Sequence, residues 1–255
     1  LFALLHSTFS WSGVVWFFVL YWVSGGLGIT LCYHRLLTHR AFKTQNWLRS
    51  VLTFCACLAM QGSPIIWVGT HRHHHKHSDK DLDPHSPIHG IMWAHMIWVL
   101  TKVPLDFFAE DFASDLRKEK MMRWFHRYWW APQVIVSIFL IALGLIFGGV
   151  DLAISWFVWG IALRTVAVFH STWFVNSVTH VVGYKNFHDT GDNSRNLWWV
   201  ALLSFGEGWH NNHHKYPSSA SHGMRWFEFD ITYRTIKLME FLGLAWDVKE
   251  PPEIS

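Results

Sequence analysis

The sequence predicts an all-α integral membrane protein built as two transmembrane helical hairpins carrying one helical cap. Three observations carry that expectation. Of the 255 residues, 51% are hydrophobic and only 15% charged, against about 25% charged in soluble domains. Apolar runs reach or approach the ~20 residues a helix needs to cross the hydrocarbon core. Finally, 20 of the 21 Lys and Arg fall in segments 34–49, 71–131 and 176–255, outside the apolar runs, and only Arg164 lies within one.

Spans are expected at about 11–33, 133–150 and 152–175. The opening "LFALL" reads as the tail of another span pairing with the first, which makes four spans with the first largely missing. The stretch "WLRSVLTFCACLAM" at 47–60 is short, carries Arg49 near its start and is stopped by "QGSP". It is expected as a core or interfacial helix. The cap then comprises about 34–131 and 176–255, and no repeat or Pro/Gly-rich linker divides 1–255 into more than a single domain. The basic residues all belong to one side, which the positive-inside rule makes cytoplasmic or stromal. A net charge of +3 is too small to argue for nucleic acid, and no motif for it is present. Cys32, Cys55 and Cys57 lack disulfide or thiolate-metal spacing and read as small apolar side chains.

Histidine carries the chemistry. The pattern H-x-x-H-H occurs at His71, His74 and His75 and again at His210, His213 and His214. Residues three and four apart share a helix face, so each group aims three imidazoles together. "CYHRLLTH" adds His34 and His39, and "WFVNSVTH" sets Asn176 one turn before His180. Nine neutral imidazoles exceed the four ligands of a single zinc site and point to a dimetal site, although imidazole suits zinc, iron, copper and nickel alike. The Glu-x-x-His string of soluble di-iron bundles occurs once, Glu207 to His210. Glu207 is therefore expected to orient a histidine from behind. The remaining ten histidines (His6, His73, His77, His85, His89, His95, His126, His170, His188 and His222) are expected in surface or packing roles.

Taken together, "GITLCYHRLLTHRAFK", "WVGTHRHHHKHSDKDLDPHSP", "TWFVNSVTH" and "GEGWHNNHHKYPSSA" resemble the membrane fatty-acid desaturases of the stearoyl-CoA desaturase type, nearest to the cyanobacterial and plant delta-9 acyl-lipid branch. The likeness covers essentially the whole chain. It implies two Fe ions held by His34, His39, His71, His74, His75, His180, His210, His213 and His214, with Asn176 acting through water and O2 as co-substrate. Zinc in place of iron is compatible with the same ligands in a recombinant protein. It also implies an acyl tunnel closed near Trp22 and Gly26 and lined by Gln61, Trp98 and Trp173, with Lys102 toward the head group.

Animal members carry an Arg-Asp pair contacting CoA where Gly69 and Thr70 stand here, and only Lys102 remains of a later Arg-Lys pair. Fewer charged contacts weaken binding of a polyanionic carrier, so an acyl group on a membrane lipid is expected rather than acyl-CoA. No electron-carrier motif is visible. A separate donor is expected, ferredoxin ahead of cytochrome b5, with the basic run "RKEKMMR" as a docking surface; a thylakoid or plasma membrane is expected if the source is cyanobacterial. The oligomeric state is not legible. Two other readings stand beside this one: a membrane di-iron hydroxylase of alkyl chains, with similar boxes, and a zinc or nickel transporter, which would favour ionisable groups along a path through the bilayer.

Overall fold

The computed structural model describes residues 6–101 and 111–251. "LFALL" and Lys102 fall outside them. The described residues are mostly helical, with one two-residue antiparallel ladder joining Lys43–Thr44 to Ala245–Trp246.

Helix α1 (Trp11–Thr38) is long and apolar enough to cross a membrane. It starts at Ser10, whose Oγ accepts from the Gly13 amide at 3.0 Å, the N-cap bond that satisfies an otherwise free donor. From Trp22 to Thr38 its turns widen to π-helical geometry. The loosened carbonyls are taken up by local hydroxyls: Ser24 donates to Leu20 O at 2.6 Å, Thr30 to Gly26 O at 2.7 Å and Thr38 to Tyr33 O at 2.7 Å.

This widening positions the site. Residues five apart on an α-helix point about 140° away from each other, so His34 and His39 would diverge. With i→i+5 bonding each residue turns through a smaller angle, and the divergence shrinks. The His39 amide donates to His34 O at 3.1 Å, and the two rings lie 4.8 Å apart.

Helix α2 (Asn46–Cys57) lies along α1 and buries Leu52, Thr53, Ala56 and Cys57. Their backbones nearly touch: a Cβ on Gly28 would fall 2.6 Å from the Ala56 Cα. Helix α3 (Pro64–His77) follows, capped by Ser63 and opened by Pro64, which suits the first helical turn because it lacks an amide donor. Helix α4 (Lys120–Arg127) buries Met122 and Phe125 beneath it.

The second apolar stretch, Ala131–His180, is interrupted at Gly148 and Gly149, where Gly149 takes φ 71°, a left-handed conformation that costs glycine little. There the chain doubles back. A Cβ on Gly144 would sit 2.5 Å from the Ala153 Cα, and one on Gly160 would sit 3.2 Å from Leu140. The two arms, α5 (131–147) and the returning arm that ends in α6 (Arg164–Ser177), are thus an antiparallel hairpin. Outward residues of α5, among them Ile138, Phe139, Ile146 and Phe147, are more than half exposed. An apolar surface of that extent marks contact with an apolar phase rather than water.

The three cysteines are free, two buried and one half-buried, in keeping with a packing role.

Gly28→Leu is expected to force α1 from α2 and destabilise the protein by about 1–3 kcal/mol. Thermal unfolding of the detergent-extracted protein would read this as a lowered midpoint, and an unchanged midpoint would contradict the close-contact account.

Candidate metal centre

All nine imidazoles singled out in the sequence come together, in two groups. His34, His39, His71, His75 and His213 form one; His74, His180, His210 and His214 form the other. Within each group the ligand atoms lie within 4.8 Å of one another. The shared-face expectation therefore holds for convergence but not for destination. In α3 the i, i+4 pair His71 and His75 serves the first group and His74 the second. In α7 (His210–Lys215) the assignment reverses: His210 and His214 serve the second group and His213 the first. Facing Nε2 atoms approach closely, at 3.1 Å for His34 and His213, 2.9 Å for His213 and His75, and 3.0 Å for both His75–His71 and His210–His180.

Carboxylates stand behind the rings. Asp83 Oδ2 is 2.9 Å from His74 Nδ1, Asp79 Oδ1 3.0 Å from His180 Nδ1, Asp192 Oδ2 2.6 Å from His214 Nδ1 and Glu207 Oε2 2.5 Å from His34 Nδ1. A carboxylate at Nδ1 fixes the proton there and leaves the Nε2 lone pair free to coordinate. Glu207 stands behind His34 on α1 rather than the His210 of its own string. Arg35, fully buried, holds Glu207 through Nη2 at 3.1 Å and Asp230 through Nη1 at 2.8 Å.

Two histidines assigned to surface or packing in the sequence lie in this shell. His222 is fully buried, 3.2 Å from Glu207 through Nδ1, with its ring 4.3 Å from that of His213. His85 is buried against Asp83, its ring 4.3 Å from that of His74. Asp79 and Asp83 were missed although they follow the second box immediately, in "HSDKDLDPH". That acidic run was the available signal.

Helix α7 is only six residues long, too short to stand by propensity. The two asparagines inside "HNNHH" anchor it. Asn211 Oδ1 accepts from the amides of Asn186 and Phe187 at 2.9 and 2.8 Å, and Asn212 is bonded to Asn186, Asn196 and Glu228.

Burial sets the protonation. It holds His39, His71, His75, His210 and His213 well below the ordinary imidazole value, and neighbouring imidazoles push the same way. His214 is lowered to about 4 by burial, against the opposing pull of Asp192. His74 is the exception: burial opposes its charge, but Asp83 outweighs it and raises the ring. The buried Nε2 atoms of His39, His74 and His214 have no hydrogen-bond partner. Neutral rings, inward lone pairs and unpartnered nitrogens are what imidazole ligation of two metal ions requires, so the residues fit such a group.

A cavity of ≈ 320 Å³ adjoins the histidines, lined by Gln61, Trp98, Trp173, His71, His85 and Asn176 among others. Gln61 bonds Thr172 at 2.8 Å and receives Trp67 Nε1 at 3.1 Å, which fixes the wall nearest the imidazoles. A smaller cleft of ≈ 40 Å³ touches both groups through His34, His71 and His210, and also Asn176. Trp22 and Gly26 line neither. Trp22 packs over Gly26, with Phe205 beyond, one turn from the Gly25 end of the cleft.

Two outcomes follow. Unfolded imidazoles take up protons as pH falls through about 6.5, whereas buried His214 resists until about 4 and His210 and His213 are held well below the ordinary value. The metal-free protein is therefore expected to keep its full stability above about 6.5 and lose it progressively toward pH 4. Thermal melts between pH 7.5 and 4.5 check this, and a flat profile would refute it. Asp83→Asn is expected to weaken metal retention about 10- to 100-fold, measured by metal analysis after graded chelation.

The chain resembles known proteins over nearly its full length. The fatty acid desaturase family profile matches residues 9–244. The chain is 47% identical over 249 residues to the sn-1 stearoyl-lipid 9-desaturase of Anabaena variabilis, covering 98% of this chain and 88% of the relative. It is 45% identical over 255 residues to the sn-1 stearoyl-lipid 9-desaturase of Synechocystis sp., with 99% and 77% covered. It is equally 45% identical over 250 residues to an acyl-CoA 5-desaturase of Anemone leveillei, with 97% and 75% covered. With a profile spanning both histidine boxes and relatives this similar along almost every residue, the chain belongs to the fatty acid desaturase family.

Proposed function

We propose that this chain is an O2-dependent fatty acyl desaturase that introduces a cis double bond, at the delta-9 position, into a saturated acyl chain of a membrane lipid. The observation that carries the reading is the division of nine imidazoles into groups of five and four beside a largely apolar cavity. Two iron ions held by His34, His39, His71, His75 and His213 and by His74, His180, His210 and His214, with Asn176 acting through water, would supply the oxidant that removes two hydrogens from unactivated methylenes. The protein's own part is placement and dryness. Trp98, Trp173 and Phe169 present apolar walls to an acyl chain and exclude water from it. Gln61, Thr172 and Trp67 hold one another and fix the wall against which the chain must lie.

Lipid rather than CoA as the carrier is supported by Gly69 and Thr70, of which Thr70 borders the cavity. Neither offers a charge to a polyanionic carrier. Relatives of similar identity carry names of both kinds, so identity alone does not choose. Electrons come from a separate donor, ferredoxin ahead of cytochrome b5, for which the exposed Arg117, Lys118, Lys120 and Arg123 form a basic surface complementary to an acidic carrier. The apolar arms support a membrane location; the reading puts it in a thylakoid or plasma membrane, with the histidines on the cytoplasmic or stromal side in keeping with the positive-inside rule.

Expression in a host lacking unsaturated fatty acids is expected to yield monounsaturated lipids two mass units below their saturated precursors. A gain of one oxygen would show a hydroxylase instead. Purified protein with a reduced donor should convert a glycerolipid, and robust turnover of stearoyl-CoA alone would overturn the choice of carrier. Trp22→Ala is expected to shift products toward longer chains if Trp22 closes the tunnel; an unchanged chain-length profile would remove it from that role.

A further inference from the structure

Arg164 is the one Lys or Arg between Ala131 and His180, and it is fully buried. A cation at such a position is costly. Among the described residues its guanidinium meets neutral acceptors: Nη1 donates to Leu58 O at 2.5 Å and to Ser24 Oγ at 3.4 Å, Nη2 to Gln133 Oε1 at 2.9 Å, and Nε to Gly160 O at 3.2 Å. The chemistry retained at this cost is a fork of donors, which a single ammonium point charge does not reproduce.

The acceptor that matters is the Leu58 carbonyl. Leu58 caps the C-terminus of α2, and the chain then turns with Met60 at φ 57° and Gly62 at φ 97°, both left-handed. Met60, Gln61 and Gly62 all line the large cavity. Two further bonds tie this turn to the same helix: Gln61 Nε2 donates to Val168 O at 3.4 Å and to Thr172 Oγ1 at 2.8 Å. Arg164, Val168 and Thr172 are spaced by four and share one face. The helix that carries Asn176 therefore grips the turn at three successive levels, and Arg164 is the deepest.

We propose that Arg164 is a positioning residue that sets the height of the 59–62 turn against the histidine groups, and thereby selects which methylenes of the acyl chain face them. Arg164 touches neither cavity and acts through the Leu58 carbonyl. This inference rests on the desaturase reading above.

Two variants test it. Arg164→Lys keeps the charge but cannot hold all its acceptors. Gln133→Glu is isosteric and draws the guanidinium toward a carboxylate, away from Leu58. The readout is double-bond position, determined by mass spectrometry of derivatised fatty acids, together with total yield and protein level. Yield should fall about 10- to 100-fold in Arg164→Lys, as expected for a displacement near 1 Å. The share of displaced double bonds should rise about threefold or more in both variants, a modest change in transition-state preference. A merely structural role lowers yield and leaves position unmoved. Unchanged positions in every variant that accumulates would overturn the proposal, and Gln133→Glu keeps the test open if Arg164→Lys does not accumulate. The wild-type chain, assayed alongside, separates the two readings: no unsaturated product there defeats the proposed function, whereas unmoved positions defeat this inference alone.

Discussion

Nine imidazoles with their lone pairs turned toward one another form an arrangement that a protein must enforce, because neutral acceptors at about 3 Å gain nothing from each other. Most of the cap can be understood as the means of enforcement. Burial favours the uncharged form at His39, His71, His75, His210, His213 and His214, and four carboxylates fix the protons of four rings on the outer nitrogen. Arg35 in turn holds Glu207 and Asp230 together, which ties the C-terminal segment to α1. Removing any one of these supports leaves a buried polar group without a partner, a cost of about 1–3 kcal/mol even for an uncharged group.

The parts of this arrangement governed by local periodicity were legible in the sequence. The H-x-x-H-H spacing marks a helix face, and the apolar runs at 11–33 and 133–175 correspond to α1 and to the doubled-back pair of arms. The division of labour within each box was not legible, because a shared face does not say which side of it each ring leans toward. The five-residue gap between His34 and His39 was recognised as a pair, but ordinary helical geometry would send the rings apart. Only the widened turns, with their hydroxyl-satisfied carbonyls, reconcile the two. The target of Glu207 was harder still, because His34 is more than 170 residues away and no local pattern encodes such a distance. Asp79 and Asp83 differ: they stand beside the box they serve, and their role could have been read from the acidic run.

Polar groups inside the apolar region follow the same economy. Ser24, Thr30, Gln133 and Arg164 are all buried, and each is bonded to a carbonyl or to another of these side chains. In hydrocarbon such groups have no water to fall back on, so each marks a place where the packing of one helix against another is specified rather than merely permitted. Gly28 and Gly144 do the equivalent with space, letting backbones meet where any side chain would hold them apart.

The crossed use of α3 and α7, each supplying both histidine groups, has a consequence for the engineering of this protein. Neither half is modular. A fragment ending before Asn176 would carry four of five rings of one group and a single ring of the other, so no such fragment holds one intact group. The paired site must therefore be transplanted as a unit.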